Sequence, residues 1–227
     1  MTSTIKNTGL KFVEKRTELY APHRGGRTTF LHPHYGPNTY AHVASTIEQD
    51  GLAAPTLSET ISLVHAAFHS NDKYSMEIRK LMNDQWLWGF TGIHYIPLEG
   101  AYIEPHPRIK NGMPFMEKDD LVRRLEAHDP AVRFVPFGFR TGEMPPLELA
   151  KNPFIQALAE GEEGAEKLAE IADYHRNKPC LWSFESVDEP TTRVSALHSN
   201  WVGVRRLDVN RSDLGSNWGG CAFGVRK

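Results

Sequence analysis

Two histidines spaced one helical turn apart, His65 and His69, and a second pair flanking a proline, His32-Pro-His34, are the side chains of this chain best suited to ligating a metal ion. Imidazoles at i and i+4 project from the same face of a helix, and their nitrogens suit zinc-type cations. No glutamate follows His65 directly, so the metalloprotease helix pattern is absent, and no cysteine stands near these histidines. They read as core or surface histidines, and neither a metal nor a cofactor is expected. His94 and His106 lie in proline-rich segments and add no spacing signal. Nucleophilic catalysis has little support, since the chain has no Gly-x-Ser-x-Gly elbow and no phosphate-cradling glycine loop with a lysine. Acidic pairs such as Asp119-Asp120 and Glu162-Glu163 stand at predicted helix starts, where carboxylates favour the positive end of the helix dipole. The expectation is a protein that is not an enzyme.

Recognition chemistry is concentrated at the end of the chain. From Arg193 to Lys227 two kinds of residue interleave. Ala196, Leu197, Trp201, Gly203, Leu207, Val209, Trp218, Gly219, Ala222, Phe223, Gly224 and Val225 have the character of a scaffold. Between them stand His198, Asn200, Val202, Val204, Arg205, Asp208, Asn210, Ser212, Asp213, Leu214, Asn217 and Cys221, which share no side-chain chemistry. Each of these is reached from an asparagine codon by changing its adenines, the mark of adenine-directed diversification. Trp201, Gly203, Leu207, Trp218 and Phe223 are the expected scaffold of such a site. Of the interleaved set, His198 and Arg205, with Trp218 beside them, have the side chains of binding anchors.

The frame Arg193-Val-Ser-Ala-Leu197 … Ala222-Phe-Gly-Val-Arg-Lys227 resembles the variable proteins of diversity-generating retroelements, most closely their archaeal and archaeal-virus branch. The match is at motif level over Arg193 to Lys227, weaker over Leu52 to Glu59 and Trp86 to Tyr102, and not traceable before Thr39. The resemblance implies a C-type lectin fold whose C-terminal segment displays diversified side chains to a ligand. Leu52-Ala-Ala-Pro-Thr-Leu-Ser-Glu59 also resembles the helix entry of formylglycine-generating-type lectin folds. Enzymes of that type use a cysteine-based copper site, whereas one of the two thiols here, Cys221, falls in the diversified set. The expected fold class is therefore α+β, a C-type-lectin-like domain of the formylglycine-generating type with two main helices, short antiparallel strands and long loops. Residues 1–37 form an N-terminal arm, partly irregular, and residues 38–227 the domain, with a variable region at about 193–227.

Elements that would hold such a surface can be read from periodicity. Asn38 offers an N-cap for a helix carrying Tyr40, Val43, Ala44 and Ile47, which Gly51 stops. Thr56 and Glu59 form a capping-box pattern ahead of Ile61, Val64, His65 and Phe68. Further helices are predicted over Met116 to Ala127 and Gly161 to His175, the latter amphipathic. Strands are predicted at Leu10 to Val13, Trp86 to Phe90, Ile93 to Leu98, Ala101 to Glu104, Val132 to Phe139, Leu181 to Phe184, Val194 to Leu197, Arg206 to Val209 and Cys221 to Val225. Strand alternation places His198, Asn200, Val202 and Val204 on one face, opposite Leu197, Ser199, Trp201 and Gly203. Asp208, Asn210 and Ser212 share a parity while Leu207 and Val209 point inward. The diversified side chains are accordingly expected to be exposed together.

The totals narrow the classes further. A chain of 227 residues, 40% hydrophobic, can bury one sizeable core, and its 15 prolines and 18 glycines suit an α+β domain. A net charge of -2 gives no field for a phosphate backbone, so no nucleic-acid partner is expected, and the pairs Arg123-Arg124 and Arg205-Arg206 read as solvated surface. Two cysteines, Cys180 and Cys221, are too few for a disulfide framework and match no zinc spacing. The N-terminus lacks the apolar run of a signal peptide, and no stretch approaches the roughly 18 to 20 apolar residues of a membrane span. A soluble protein is expected, without membrane insertion, its place in a virion or on a surface left open. Its partner is expected to be a protein or cell-surface ligand. A glycan-binding lectin or metal-dependent enzyme of the same fold, and a structural virion protein, stand as alternatives.

Overall fold

The computed structural model describes residues 16–110, 113–200, 203–212 and 219–227. Its first elements are a hairpin of β1 (Thr17–His23) and β2 (Gly26–Asn38). Arg24 and Gly25 turn the hairpin with φ of 49° and 72°, the paired left-handed conformation that matches the twist of the flanking strands. The segment expected as a partly irregular arm is thus, from Thr17 onward, part of the main sheet. Phe30 and Leu31 of β2 are buried and pair with Val225 and Gly224 at the other end of the chain. The strand expected at Leu10 to Val13 lies outside the described residues.

Helix α1 (Tyr40–Gln49) is capped by the Thr39 side chain, one residue later than expected, while Asn38 accepts from the Thr39 amide. Helix α2 (Leu57–Phe68) carries the expected capping box: the Thr56 hydroxyl accepts from the Glu59 amide at 3.1 Å and the Glu59 carboxylate accepts from the Thr56 amide at 2.8 Å. Caps of this kind contribute about 1 kcal/mol. Helix α3 (Lys73–Asp84), which the sequence reading missed, is capped by Asp72 and buries only Ser75, Ile78 and Met82.

Strand β3 (Trp86–Ile96) is buried over its whole length and occupies the middle of the sheet. It joins two segments expected to be separate. Gly92 does not break it, because a register shift opposite Val194 and Ser195 absorbs the irregularity as a bulge. Next come β4 (Gly100–Glu104), the small hairpin β5 (Arg108–Lys110) and β6 (Met113–Phe115), α4 (Lys118–Glu126), β7 (Arg133–Pro136) and β8 (Gly142–Glu143). Three helices follow, α5 (Pro146–Lys151), α6 (Pro153–Leu158) and α7 (Glu162–Asp173), the first two each starting with a proline at N1, where a missing amide costs nothing. The chain finishes with β9 (Cys180–Trp182), β10 (Thr191–His198), β11 (Asp208–Ser212) and β12 (Gly220–Arg226).

Ten strands form one sheet in the order β1-β2-β12-β3-β10-β11-β9-β8, with β4 pairing β3 and β7. Two pairings, β11 with β9 and β12 with β3, are parallel, so the sheet is mixed rather than wholly antiparallel. One face carries Leu87, Ile93, Leu197, Val209 and Phe223 against α2, α6 and α7. The other carries Trp86, Trp88, Phe90, Val194 and Ala196 with Tyr40, Val43 and Ile47 of α1. Seven helices rather than two main ones are present among the described residues, because short and polar helices leave little periodic apolar signal. Among the described residues no helix is long and apolar enough to cross a membrane.

Candidate ligand-binding surface

The segment from Arg193 contributes three strands to the centre of the sheet. β10 and β12 flank β3 on its two sides, and β11 pairs with β10 in the register Val194↔Ser212, Ala196↔Asn210 and His198↔Asp208. The scaffold residues that are described take the inward positions: Ala196, Leu197, Leu207, Val209, Ala222, Phe223 and Val225 are all buried. Gly203 is exposed and turns the β10–β11 connection with φ of 79°. Trp201 and Trp218 lie outside the described residues, as do Val202, Asp213, Leu214 and Asn217. Ser212 pairs through its main chain with Val194.

The interleaved residues divide into two groups. Arg205 is exposed, and Asn200, Val204 and Asn210 are half-buried. His198, Asp208 and Cys221 are buried, which corrects the expectation that the set would be exposed together. Alternation holds for His198, Asp208 and Asn210, which share one side of β10 and β11, but not for Asn200 and Val204, because β10 ends at His198. It does not tell whether a face is covered.

His198 packs on Trp86 with ring centroids 4.8 Å apart, and its Nδ1 accepts the Asn200 amide at 2.9 Å. That bond needs a neutral imidazole with its proton on Nε2, and burial accordingly pushes the His198 pKa down. Asp208 is fully buried. Its Oδ1 accepts from the Trp182 indole at 2.8 Å and from Arg206 Nε at 2.9 Å, while Arg206 also reaches Glu143. Burial outweighs both partners and pushes the Asp208 carboxyl up. Arg206, expected at the solvated surface with Arg205, is instead buried and lies 5.5 Å from the Trp182 ring centroid. Cys221 stands on the same side of β12 as Phe223 and Val225, in the core beside Leu87, and burial pushes its thiol up to about 12. Strand parity alone would have grouped Cys221 with Phe223 and Val225. Just before Cys221, Gly220 has no room for a side chain, because a Cβ would run into the Trp88 indole.

One surface residue was not foreseen. Trp182 of β9 is 42% exposed and pairs with Asn210 across the parallel β9–β11 ladder. The backbone of Arg205 is held beside it, its carbonyl accepting from the Asn177 amide and side chain at 3.4 and 3.3 Å, and Leu207 O accepts from Cys180 N at 2.9 Å. Arg211 of β11 stacks 3.3 Å over Phe184. The accessible members of the interleaved set are therefore Asn200, Val204, Arg205 and Asn210, and beside Asn210 stands the partly exposed Trp182, which is tied to the Arg206–Asp208 pair. No local signal in the sequence marks Trp182, since its place follows from a pairing made at a distance along the chain.

A solved structure described as the accommodation of massive sequence variation in Nanoarchaeota by the C-type lectin fold superposes on this chain with a TM-score of 0.56 at 16% identity, over 93% of this chain and 98% of that one. The chain has an α+β fold resembling the C-type lectin fold. No family model and no curated protein sequence matches it. The fold places β1 and β2, at the start of the described residues, in one sheet with β12 at the end of the chain.

The metal-ligand candidates separate as well. His65 and His69 do lie together on the last turn of α2, joined by Glu170 of α7. His32 pairs with Glu77 at 3.0 Å and His34 packs on Phe223. His94 bonds Thr192 at 2.8 Å.

Proposed function

We propose that this protein binds a ligand through the surface made by residues 193–227, and that adenine-directed mutagenesis by a diversity-generating retroelement varies this surface from copy to copy. The observation that carries the reading is the division of labour within the segment. Codons reachable from asparagine by adenine changes include the accessible Asn200, Val204, Arg205 and Asn210, while Ala196, Leu197, Leu207, Val209, Ala222, Phe223 and Val225 of the other kind are buried. A surface can change its composition without loss of the fold only where side chains stand clear of packed neighbours. Trp182 and Arg205 are the residue types that dominate binding energy at interfaces, and polar Asn side chains supply adaptable hydrogen bonds. The activity is binding rather than catalysis, with a protein or cell-surface molecule as the ligand. His198, Asp208 and Cys221 belong in this proposal to the support of the site.

The decisive experiment is on DNA. A near-copy of codons 193–227 with adenines at the codons of Asn200, Val204, Arg205 and Asn210, beside a reverse transcriptase gene, is the expected finding. A genome holding no such copy would overturn the diversification. A panel of variants at those four positions, displayed and selected against candidate surfaces, then tests the binding role. Selection that enriches no variant over the parent on any surface argues for a structural protein instead.

A further inference from the structure

The last turn of α2 and the last turn of α7 end side by side, as the 4.9 Å approach of Phe68 and Tyr174 shows. Beside them three donors converge. His65 Nε2 stands 2.7 Å from Glu170 Oε2, His69 Nε2 stands 3.8 Å from the same oxygen, and one ligand atom from each of the three residues falls within 4.8 Å of the others. We propose that His65, His69 and Glu170 form a binding site for a borderline divalent cation of the zinc kind.

Three features of the geometry point to a cation rather than to a simple imidazole–carboxylate contact. A tetrahedral ion with bonds of about 2.0–2.1 Å sets its ligands about 3.3 Å apart, and the two observed separations from Glu170 bracket that spacing. Since the carboxylate is 55% exposed and the His69 ring 48% exposed, small rotations of unhindered side chains close the difference. The His69 ring is already oriented for ligation. Its Nδ1 donates to the His65 carbonyl at 2.9 Å, which leaves Nε2 as the nitrogen facing Glu170. Metal-bound histidines characteristically donate their other ring nitrogen to such a carbonyl. Finally, the site lies at the C-terminal ends of two helices, where the partial negative charge of both dipoles favours a cation.

The donor set of two imidazoles and one carboxylate selects zinc-type ions over calcium or magnesium, which prefer oxygen alone. A fourth coordination position faces solvent. Bound there, the ion ties α2 to α7 across a sequence separation of 105 residues.

The test uses the full chain freed of metal by a chelator. Isothermal titration with Zn2+ is expected to show one site, Co2+ to develop the visible bands of a four-coordinate ion, and the melting temperature to rise with added Zn2+. Loss of an outer-shell partner alone typically weakens metal binding 10- to 100-fold, so Glu170→Gln and His69→Gln should each weaken Zn2+ by at least about tenfold and abolish the thermal shift. His32→Gln, which removes a separate imidazole–carboxylate pair, should leave both unchanged. Glu170 is exposed enough that its variant will fold, and circular dichroism checks this. Absence of stoichiometric Zn2+ binding, or binding that is equal in the Glu170→Gln and parent proteins, overturns the proposal.

Discussion

Asp208→Ala is the perturbation that most sharply separates a supporting residue from a freely diversified one. Removing the carboxylate leaves Arg206, 9% exposed in its side chain, without the partner at 2.9 Å, and leaves the Trp182 indole without its acceptor. Deleting one member of a buried ion pair costs about 3–5 kcal/mol. Two circumstances reduce this. Arg206 retains Glu143, and the Asp208 carboxyl is itself held at a cost, since burial pushes its pKa up and its Oδ2 has no hydrogen-bond partner among the described residues. The expected loss is therefore about 2–3 kcal/mol, a fall in melting temperature of about 4–12 °C for a domain of this size. Urea unfolding followed by tryptophan fluorescence measures it, with the denaturant slope unchanged. Asp208→Asn, which keeps an acceptor for the indole, should lose less. If Asp208→Ala lay within about 0.5 kcal/mol of the parent, the range of ordinary surface changes, Asp208 would be a permissive position and the network would have no supporting role.

Three other outcomes are expected. Burial lowers the pKa values of His23, His34, His94, His106, His175 and His198, so the unfolded chain binds more protons than the folded one below its ordinary histidine pKa of about 6.5. Unfolding free energy should be fully present above that pH and fall as pH drops from about 6.5 toward 5, and a flat profile there would contradict the burial of these rings. Native protein should react with a thiol reagent at neither cysteine, since burial pushes Cys180 up to about 11 and Cys221 to about 12, and both should become reactive in denaturant. Asn200→Ser combined with Val204→Tyr and Asn210→Ser should leave stability within about 0.5 kcal/mol per site, whereas Phe223→Ala should cost about 3–5 kcal/mol, both read from urea melts.

Which parts of this structure are legible in the sequence depends on how local their causes are. The capping box at Thr56 and Glu59 and the apolar period of α1 involve neighbours in sequence, and both helices form where those signals place them. Helix α3 escapes because its buried side is only Ser75, Ile78 and Met82, too sparse for a period to stand out. In the candidate site, alternation identifies the inward Leu207 and Val209 and the shared face of His198, Asp208 and Asn210. It fails where the cover comes from afar: Trp86 over His198, and Trp182 over Asp208. The same holds for Glu170, which lies more than a hundred residues from the histidines it meets.

Strand β12 lies between β2 and β3, yet follows every other strand of the sheet in the chain. A polypeptide cut short anywhere before Gly220 therefore lacks not an edge but an interior strand, and leaves β2 and β3 with unpaired backbone facing each other. Such a fragment cannot close its sheet and exposes adhesive edges instead. Errors of translation or reading frame arising between Arg193 and Gly220 would thus yield chains that fail to fold, and a chain that folds is one in which this whole stretch was made in frame.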